Sequence, residues 1–548
     1  MKIYPQLAFT VKLKTLIMLY LKIFLRVLFS LMSLFPVWCS GDKYLLVLGV
    51  DSDGSHMISM TSAAKAMIER NHNVTLVMPA DRDASIRKVM FNHSYIAEYY
   101  KSSISSDRTQ ETAIKWSKLM LNGSYFDIIK FGSNASKIME TFCEDVLNDE
   151  PLLQRLAKGK FDLVFVHNIL ACSVLIAQYI GVRFVTFMPA IPPSGGIRMY
   201  CNPVNPAYSP ELFTGYSNQM TFTQRLKNTI YSIFQRQLSK ITYRYLDELK
   251  QKYNINPEIS TFETLSQAEI WFIYGNFVLD FPRPYQPNVI SVGGITASPA
   301  RPLAKDLEDF MQSSGNNGII VFSMGSYVTA MDTHMVDVFA DAFAKLPQNV
   351  ISKSAGQPPT TLPANVKMLE WLPQNDILGH PKTRLLICQC GINSVFEAIY
   401  HGIPVICIPV QSDQWDNAKR LEVKGVGLQL DLRSLTSDVL IQAVETVLRN
   451  DSYQSKMSRL SNIFHDEHLP APQRTVYWME KVVRHGGVSH LRTSAFDLNV
   501  IQYSLIDVYS FLGIVMLVSV VTFIYLWILL CRFASRCCYT KRERQKTE

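Results

Sequence analysis

Residues 371–417 read WLPQNDILGHPKTRLLICQCGINSVFEAIYHGIPVICIPVQSDQWDN, and this stretch decides the fold. RLLICQ and PVICIPV are apolar runs of strand length, and a helical pattern follows Gly391 between them. Both runs are apolar on successive residues rather than alternating, the pattern of buried parallel strands covered by helices. The same rhythm extends toward the N-terminus through GIIVFSMG from 318, a helix over 333–345, NVISKS and VKMLEWL. It occurs a second time earlier in the chain. KYLLVLGV (43–50) precedes a helical MISMTSAAKAMIER and then VTLVMP (74–79), and FDLVFV (161–166) and RFVTFM (183–188) flank LACSVLIAQYIG. The reading is an α/β fold with two doubly wound, Rossmann-like domains. The Pro/Gly-rich FPRPYQPNVISVGG (281–294) is the candidate linker, giving domains at 41–290 and 291–500. A cleft between them is expected, with ligands at the carboxyl ends of the strands.

The two ends carry the charge. The chain of 548 residues has a formal charge of +8, yet residues 1–40 hold five basic residues and no acid, and residues 532–548 hold six against two. The body between them is close to neutral, which excludes a nucleic-acid footprint. Residues 508–531, VYSFLGIVMLVSVVTFIYLWILLC, are free of charge and long enough for a transmembrane helix. The basic tail at 532–548 then faces the cytoplasm and the body lies on the other side. Residues 1–40 read as a basic, then apolar, secretory signal ending near Cys39, Ser40 and Gly41, whether cleaved or kept as an anchor. Sequons at Asn92, Asn122, Asn134 and Asn450 agree with a lumenal body, while Asn73 abuts the run VTLVM and is read as part of a strand. Ten cysteines are scattered without a framework spacing, so their pairing stays open, and Cys388 with Cys390 makes no zinc site.

WLPQND (371–376), QCGINSVFE (389–397), HGIPVICIP (401–409) and DQWDN (413–417) resemble the donor-binding signature of the UDP-glycosyltransferases. With GSH (54–56), NPAYSP (205–210), MTFTQR (220–225), DFPRP (280–284), VFSMGS (321–326) and the C-terminal anchor, the chain is similar to the animal UDP-glucuronosyltransferases from about residue 43 to its tail. The resemblance implies a GT-B fold, with the acceptor held by the N-terminal half and the nucleotide sugar by the C-terminal half. Trp371 then offers a flat face to uracil, and Gln374 an amide to base or ribose. Ser326, Gly391, Asn393 and Ser394 supply hydroxyls and backbone N–H groups for a diphosphate at a helix N-terminus. Glu397 accepts from the ribose hydroxyls, and Asp413 and Gln414 hold the sugar. His56 corresponds to the general base, a role that suits an imidazole near neutral pH.

Two positions depart from the family pattern. His167 stands where a carboxylate partner of the base is expected, with Asn168 beside it and Glu144 or Asp145 as substitutes; Gln389 replaces a phosphate-contacting histidine. Tyr274 stands where vertebrate members often carry arginine, which leaves the donor open between UDP-glucuronate and UDP-glucose. The expectation is an inverting glycosyltransferase that modifies a small lipophilic acceptor. It needs no metal or other cofactor. The body lies in the lumen of the endoplasmic reticulum, with homo- or hetero-oligomers as partners. The alternative is a weakened UDP-sugar-binding membrane protein that pairs with active relatives. HDEH (465–468) is read as a solvated turn and His72 as structural, DSDG (51–54) lacks the glutamate of a calcium loop, KGVG (424–427) is too short for a dinucleotide loop, and no G-x-S-x-G motif supports a hydrolase.

Overall fold

The computed structural model describes residues 41–47, 54–90, 93–105, 125–168, 172–190, 205–325, 333–353 and 358–547, with single positions at 108, 111, 112, 114, 115, 119 and 331. The expected signal segment, Ser326, Asn92 and Asn122 lie outside the described residues. Thirteen strands form two sheets among the described residues. The first contains β1 (Lys43–Val47), β2 (Asn73–Pro79), β3 (Ile96–Tyr100), β4 (Leu163–His167), β5 (Phe184–Met188), β6 (Trp271–Ile273) and β7 (Val289–Ser291). Their order is β3-β2-β1-β4-β5-β6-β7. The second contains β8 (Ile319–Ser323), β9 (Asn349–Lys353), β10 (Val366–Leu369), β11 (Thr383–Cys388), β12 (Val405–Cys407) and β13 (Gly427–Gln429), ordered β10-β9-β8-β11-β12-β13.

All pairings are parallel. This explains why the apolar runs do not alternate: β4 and β5 are buried at every position. The stretch expected to serve only as a linker supplies β7, the last strand of the first sheet. Its short run NVIS pairs with β6, so the chain finishes one sheet before crossing to the other.

In each sheet the strand order reverses once, between β1 and β4 and between β8 and β11. Crevices outside the carboxyl ends of strands open at such points. Helices leave both corners. α1 (Ser55–Glu69) follows β1, and its inward face is built from small and flexible side chains, Met57, Met60, Ala63, Ala64 and Met67. Further along the chain come α2 (Phe222–Thr242), α3 (Gln374–Leu378), α4 (Ile392–His401) and α5 (Gln414–Lys424). α6 (Ala471–His485) belongs to the last part of the body but packs on α1, where Glu480 takes Arg70 Nε at 2.7 Å and His72 Nε2 at 2.8 Å. His72 is thus structural, as expected, and β2 begins at Asn73, the sequon read as strand.

α7 (Ile506–Thr547) is the C-terminal apolar helix. Its segment Ile506–Arg536 of 31 residues has no buried share and fits a membrane anchor. At about 1.5 Å per residue it exceeds the ~30 Å of a hydrocarbon core.

Candidate functional site

The corner between β8 and β11 gathers the nucleotide candidates. β11 ends at Cys388, Gln389 follows, and Cys390 takes a left-handed turn (φ 62°) before Gly391 starts α4. Asn417 on α5 braces the turn by donating to the Cys390 carbonyl at 3.0 Å. A disulfide from Cys390 to Cys407 ties it to the end of β12. A second disulfide, Cys143–Cys172, lies in the first half; the cysteine spacing carried no signal for either pair.

Gln389 is buried, and its Oε1 has no hydrogen-bond partner among the described residues. Gly325 lies against the same amide. A Cβ there would come within 1.8 Å of Gln389 Nε2, and the backbone is left-handed (φ 76°), so only glycine fits. Gly391 is the N-cap of α4 and supplies no side-chain cap. The N–H groups of its first turn therefore point into the corner with the positive end of the helix dipole.

Trp371 stands beside this corner with 67% of its surface exposed, an open aromatic face. Lys353 Nζ lies 5.9 Å from its ring centre and donates to the Gly325 carbonyl at 3.1 Å; burial pushes this ammonium's pKa down. Gln374, the first residue of α3, donates to Ser394 Oγ at 2.9 Å and to Glu397 Oε2 at 2.7 Å. Burial pushes the Glu397 carboxyl up to about 7, with the Gln374 bond opposing and Asp376 adding to the rise.

The sugar-end candidates divide. Asp413 accepts from Asn417 Nδ2 at 2.8 Å, and burial raises its carboxyl above the ordinary value. Gln414 spends its Oε1 on the Val410 and Gln411 amides at 2.8 and 3.0 Å, so half of its amide shapes the loop after β12.

At the other corner, His56 lies in the first turn of α1 and His167 ends β4. Their rings stack with centroids 5.0 Å apart and 24° between planes. His167 is buried, and burial first, then the neighbouring His56, lowers its pKa well below that of free imidazole. Asn168 gives its Nδ2 to the Met188 sulfur, and its carbonyl accepts from Tyr243. The substitutes for the missing carboxylate are engaged elsewhere: Glu144 pairs with Lys252, and Asp145 accepts from Ser103. Tyr274 is buried, stacked on Phe396 at 5.7 Å and bonded to Thr296 Oγ1 at 3.0 Å.

The corners meet. Asn393 Nδ2 on α4 donates to the Ser55 carbonyl at 3.3 Å, which sets the N-terminus of the donor-side helix against that of the His56 helix. Several contacts that hold the halves together were not legible from the motifs their residues lie in or near. Asp416 accepts from the Phe213 and Gly215 amides at 2.6 and 2.8 Å. Arg420 lies 3.5 Å from buried Asp280, and Glu467 accepts from Asn276 at 2.5 Å. Within HDEH, His465, Asp466 and His468 are exposed, as a solvated turn requires, while the half-buried Glu467 sends its acid across the halves.

The family model described as "UDP-glucoronosyl and UDP-glucosyl transferase" matches residues 45–545. UDP-glucuronosyltransferase 2A2 of Homo sapiens is 35% identical over 531 residues, covering 94% of this chain and 96% of its own. UDP-glucuronosyltransferase 1A5 of Rattus norvegicus is 31% identical over 510 residues, covering 93% and 94%. Among solved structures, a UDP-glucosyltransferase from Polygonum tinctorium capable of glucosylating indoxyl aligns with TM-score 0.57 at 16% identity, over 81% of this chain and 99% of that one. The calicheamicin glycosyltransferase CalG4 aligns with TM-score 0.55 at 16% identity over the same shares. Both share the two-sheet GT-B fold.

Proposed function

The chain belongs to the UDP-glucuronosyl and UDP-glucosyl transferase family and is a UDP-glycosyltransferase with a C-terminal membrane anchor; on that premise we propose that it moves glucuronate or glucose, with inversion, onto a small lipophilic acceptor. The observation that carries this reading is the Asn393–Ser55 bond, because it sets the donor-side corner against the histidine corner. Uracil stacks on Trp371, and the ribose hydroxyls bond to the Glu397 carboxylate in place of Gln374. The diphosphate lies at the start of α4 beside Gln389, Asn393 and Ser394, and Asp413 and Gln414 face the sugar.

His56 accepts the acceptor's proton as its oxygen or nitrogen attacks the anomeric carbon. The carbon–oxygen bond to UDP breaks on the opposite face, and its electron pair leaves with the β-phosphate. The N–H groups of α4 stabilise that charge without a metal in this reading. In this reading the basic residues at the end of α7 lie in the cytoplasm and the body in the lumen of the endoplasmic reticulum, where the membrane supplies lipophilic acceptors. His167 favours the second reading, a UDP-sugar-binding protein of weak turnover that associates with relatives, since a neutral imidazole stabilises an imidazolium less than a carboxylate does.

The test measures UDP release from UDP-glucuronate and UDP-glucose by the full chain in detergent, over a panel of phenols, alcohols and amines. His56→Ala is expected to lower release about 100-fold or more while UDP binding persists. Release that survives this substitution would remove the base assignment. Binding without release in every mixture would favour the second reading.

A further inference from the structure

Helix α2 is built inside out. The side chains it turns toward the protein are polar: Asn228, Ser232 and Gln235, at spacings of four and three, are buried. Asn228 accepts from the Glu211 amide at 2.8 Å and donates to the Pro206 and Ser209 carbonyls at 2.8 and 2.9 Å, sewing the helix to the loop before it. On the opposite side Phe222, Leu226, Ile230, Ile233 and Phe234 are 50–72% exposed. Their spacing places them on one stripe, where the surface helix of a water-soluble body carries its polar face. Arg225 and Lys227 are exposed on either flank of the stripe, and the helix sequence holds two further cations, Arg236 and Lys240, with no acid.

We propose that α2 is an interfacial helix, lying with this stripe in the headgroup and acyl boundary of the bilayer that α7 spans. The charge pattern suits lipid: cations on the flanks reach phosphates while their stems and the stripe sit deeper. The anchor makes the contact intramolecular. Only residues 486–505 separate α6 from α7. At ~3.5 Å per residue those 20 residues hold the body within about 70 Å of the membrane. At the effective concentration such a tether produces, a modest interfacial affinity keeps α2 docked.

The test uses the full chain in vesicles containing brominated phosphatidylcholine and phosphatidylserine, with a fluorescent amino acid installed in place of Ile230. Val439, an exposed apolar residue on a helix of the second half, is the control position. Bromine quenching is expected to be at least threefold stronger at 230 than at 439. It should weaken when phosphatidylserine is omitted, and fall to the control value in the double variant Leu226→Glu, Ile233→Glu with its circular dichroism unchanged. Equal quenching at the two positions would overturn the proposal. So would shielding of the 230 probe that grows with the protein-to-lipid ratio, which would assign the stripe to a second copy of the chain.

Discussion

His167 ends a buried strand with its ring stacked on His56, and burial keeps it neutral across the physiological range. Placing a carboxylate there changes the chemistry in a direction that can be measured. In His167→Asp the negative charge favours the imidazolium of His56 and raises its pKa. The acidic limb of kcat/KM is therefore expected to move to higher pH, with higher turnover on the plateau; an unmoved limb would show that residue 167 does not act on the base. Glu397 is the second titrating residue, with its carboxyl pushed up to about 7 by burial. The folded state favours the protonated form, so this group costs stability as pH rises from its ordinary value through 7, the opposite of a salt-bridged acid. Glu397→Gln is expected to melt above the parent chain at pH 8 and level with it at pH 4, while its UDP affinity falls. Equal melting at both pH values would refute the burial argument. Most of the candidate side chains at the donor corner were legible in the sequence because they lie within one 47-residue stretch, 371–417, whereas Lys353 beside Trp371 lies outside it and carried no motif. Asn393 was read for its place at the helix start, but its bond to Ser55 was not, because the partner lies 338 residues away.

The elements followed from pattern. Apolar runs at β1, β2, β4, β5, β8, β9, β11 and β12 announced parallel strands because burial on both faces leaves no polar alternation. β3, β6, β7 and β13 were not read as strands; the last three are three residues each and lack a run such as the PVICIPV around β12, and β7 lies inside a proline-rich stretch that reads as connector. The strand–turn–helix from β11 to α4 carries the diphosphate in this account, and the Cys390–Cys407 disulfide pins its turn. Cys407→Ser is expected to cost about 2–4 kcal/mol of stability and also to weaken UDP binding. Cys143→Ser, which breaks the disulfide Cys143–Cys172, should lower the melting temperature and leave UDP binding unchanged. Equal UDP affinity in both variants would mean that the turn holds its shape without the bridge.

At the scale of the whole molecule, function depends on how the two sheets are held across the cleft. The ties are single polar groups spread along the chain, whose partners the local sequence does not reveal: Asp416 to the 213–215 backbone, Glu480 to Arg70 and His72, and Glu467 to Asn276. Two α/β halves could be read from repeated local pattern, whereas their docking depends on contacts far apart in sequence. Removing the Asp416 carboxylate takes away the acceptor of two partly buried amides. Asp416→Ala is expected to speed hydrogen exchange at the Phe213 and Gly215 amides tenfold or more, and unchanged exchange would show that other contacts hold that loop. The central claim is that the corner between Trp371 and Gly391 binds a uridine nucleotide. Calorimetric titration of the detergent-solubilised chain with UDP tests it most directly. Saturable heat at one site per chain is expected, weakened by Trp371→Ala and Glu397→Gln; the absence of heat with UDP and with its sugar esters would rule out a uridine nucleotide at this corner.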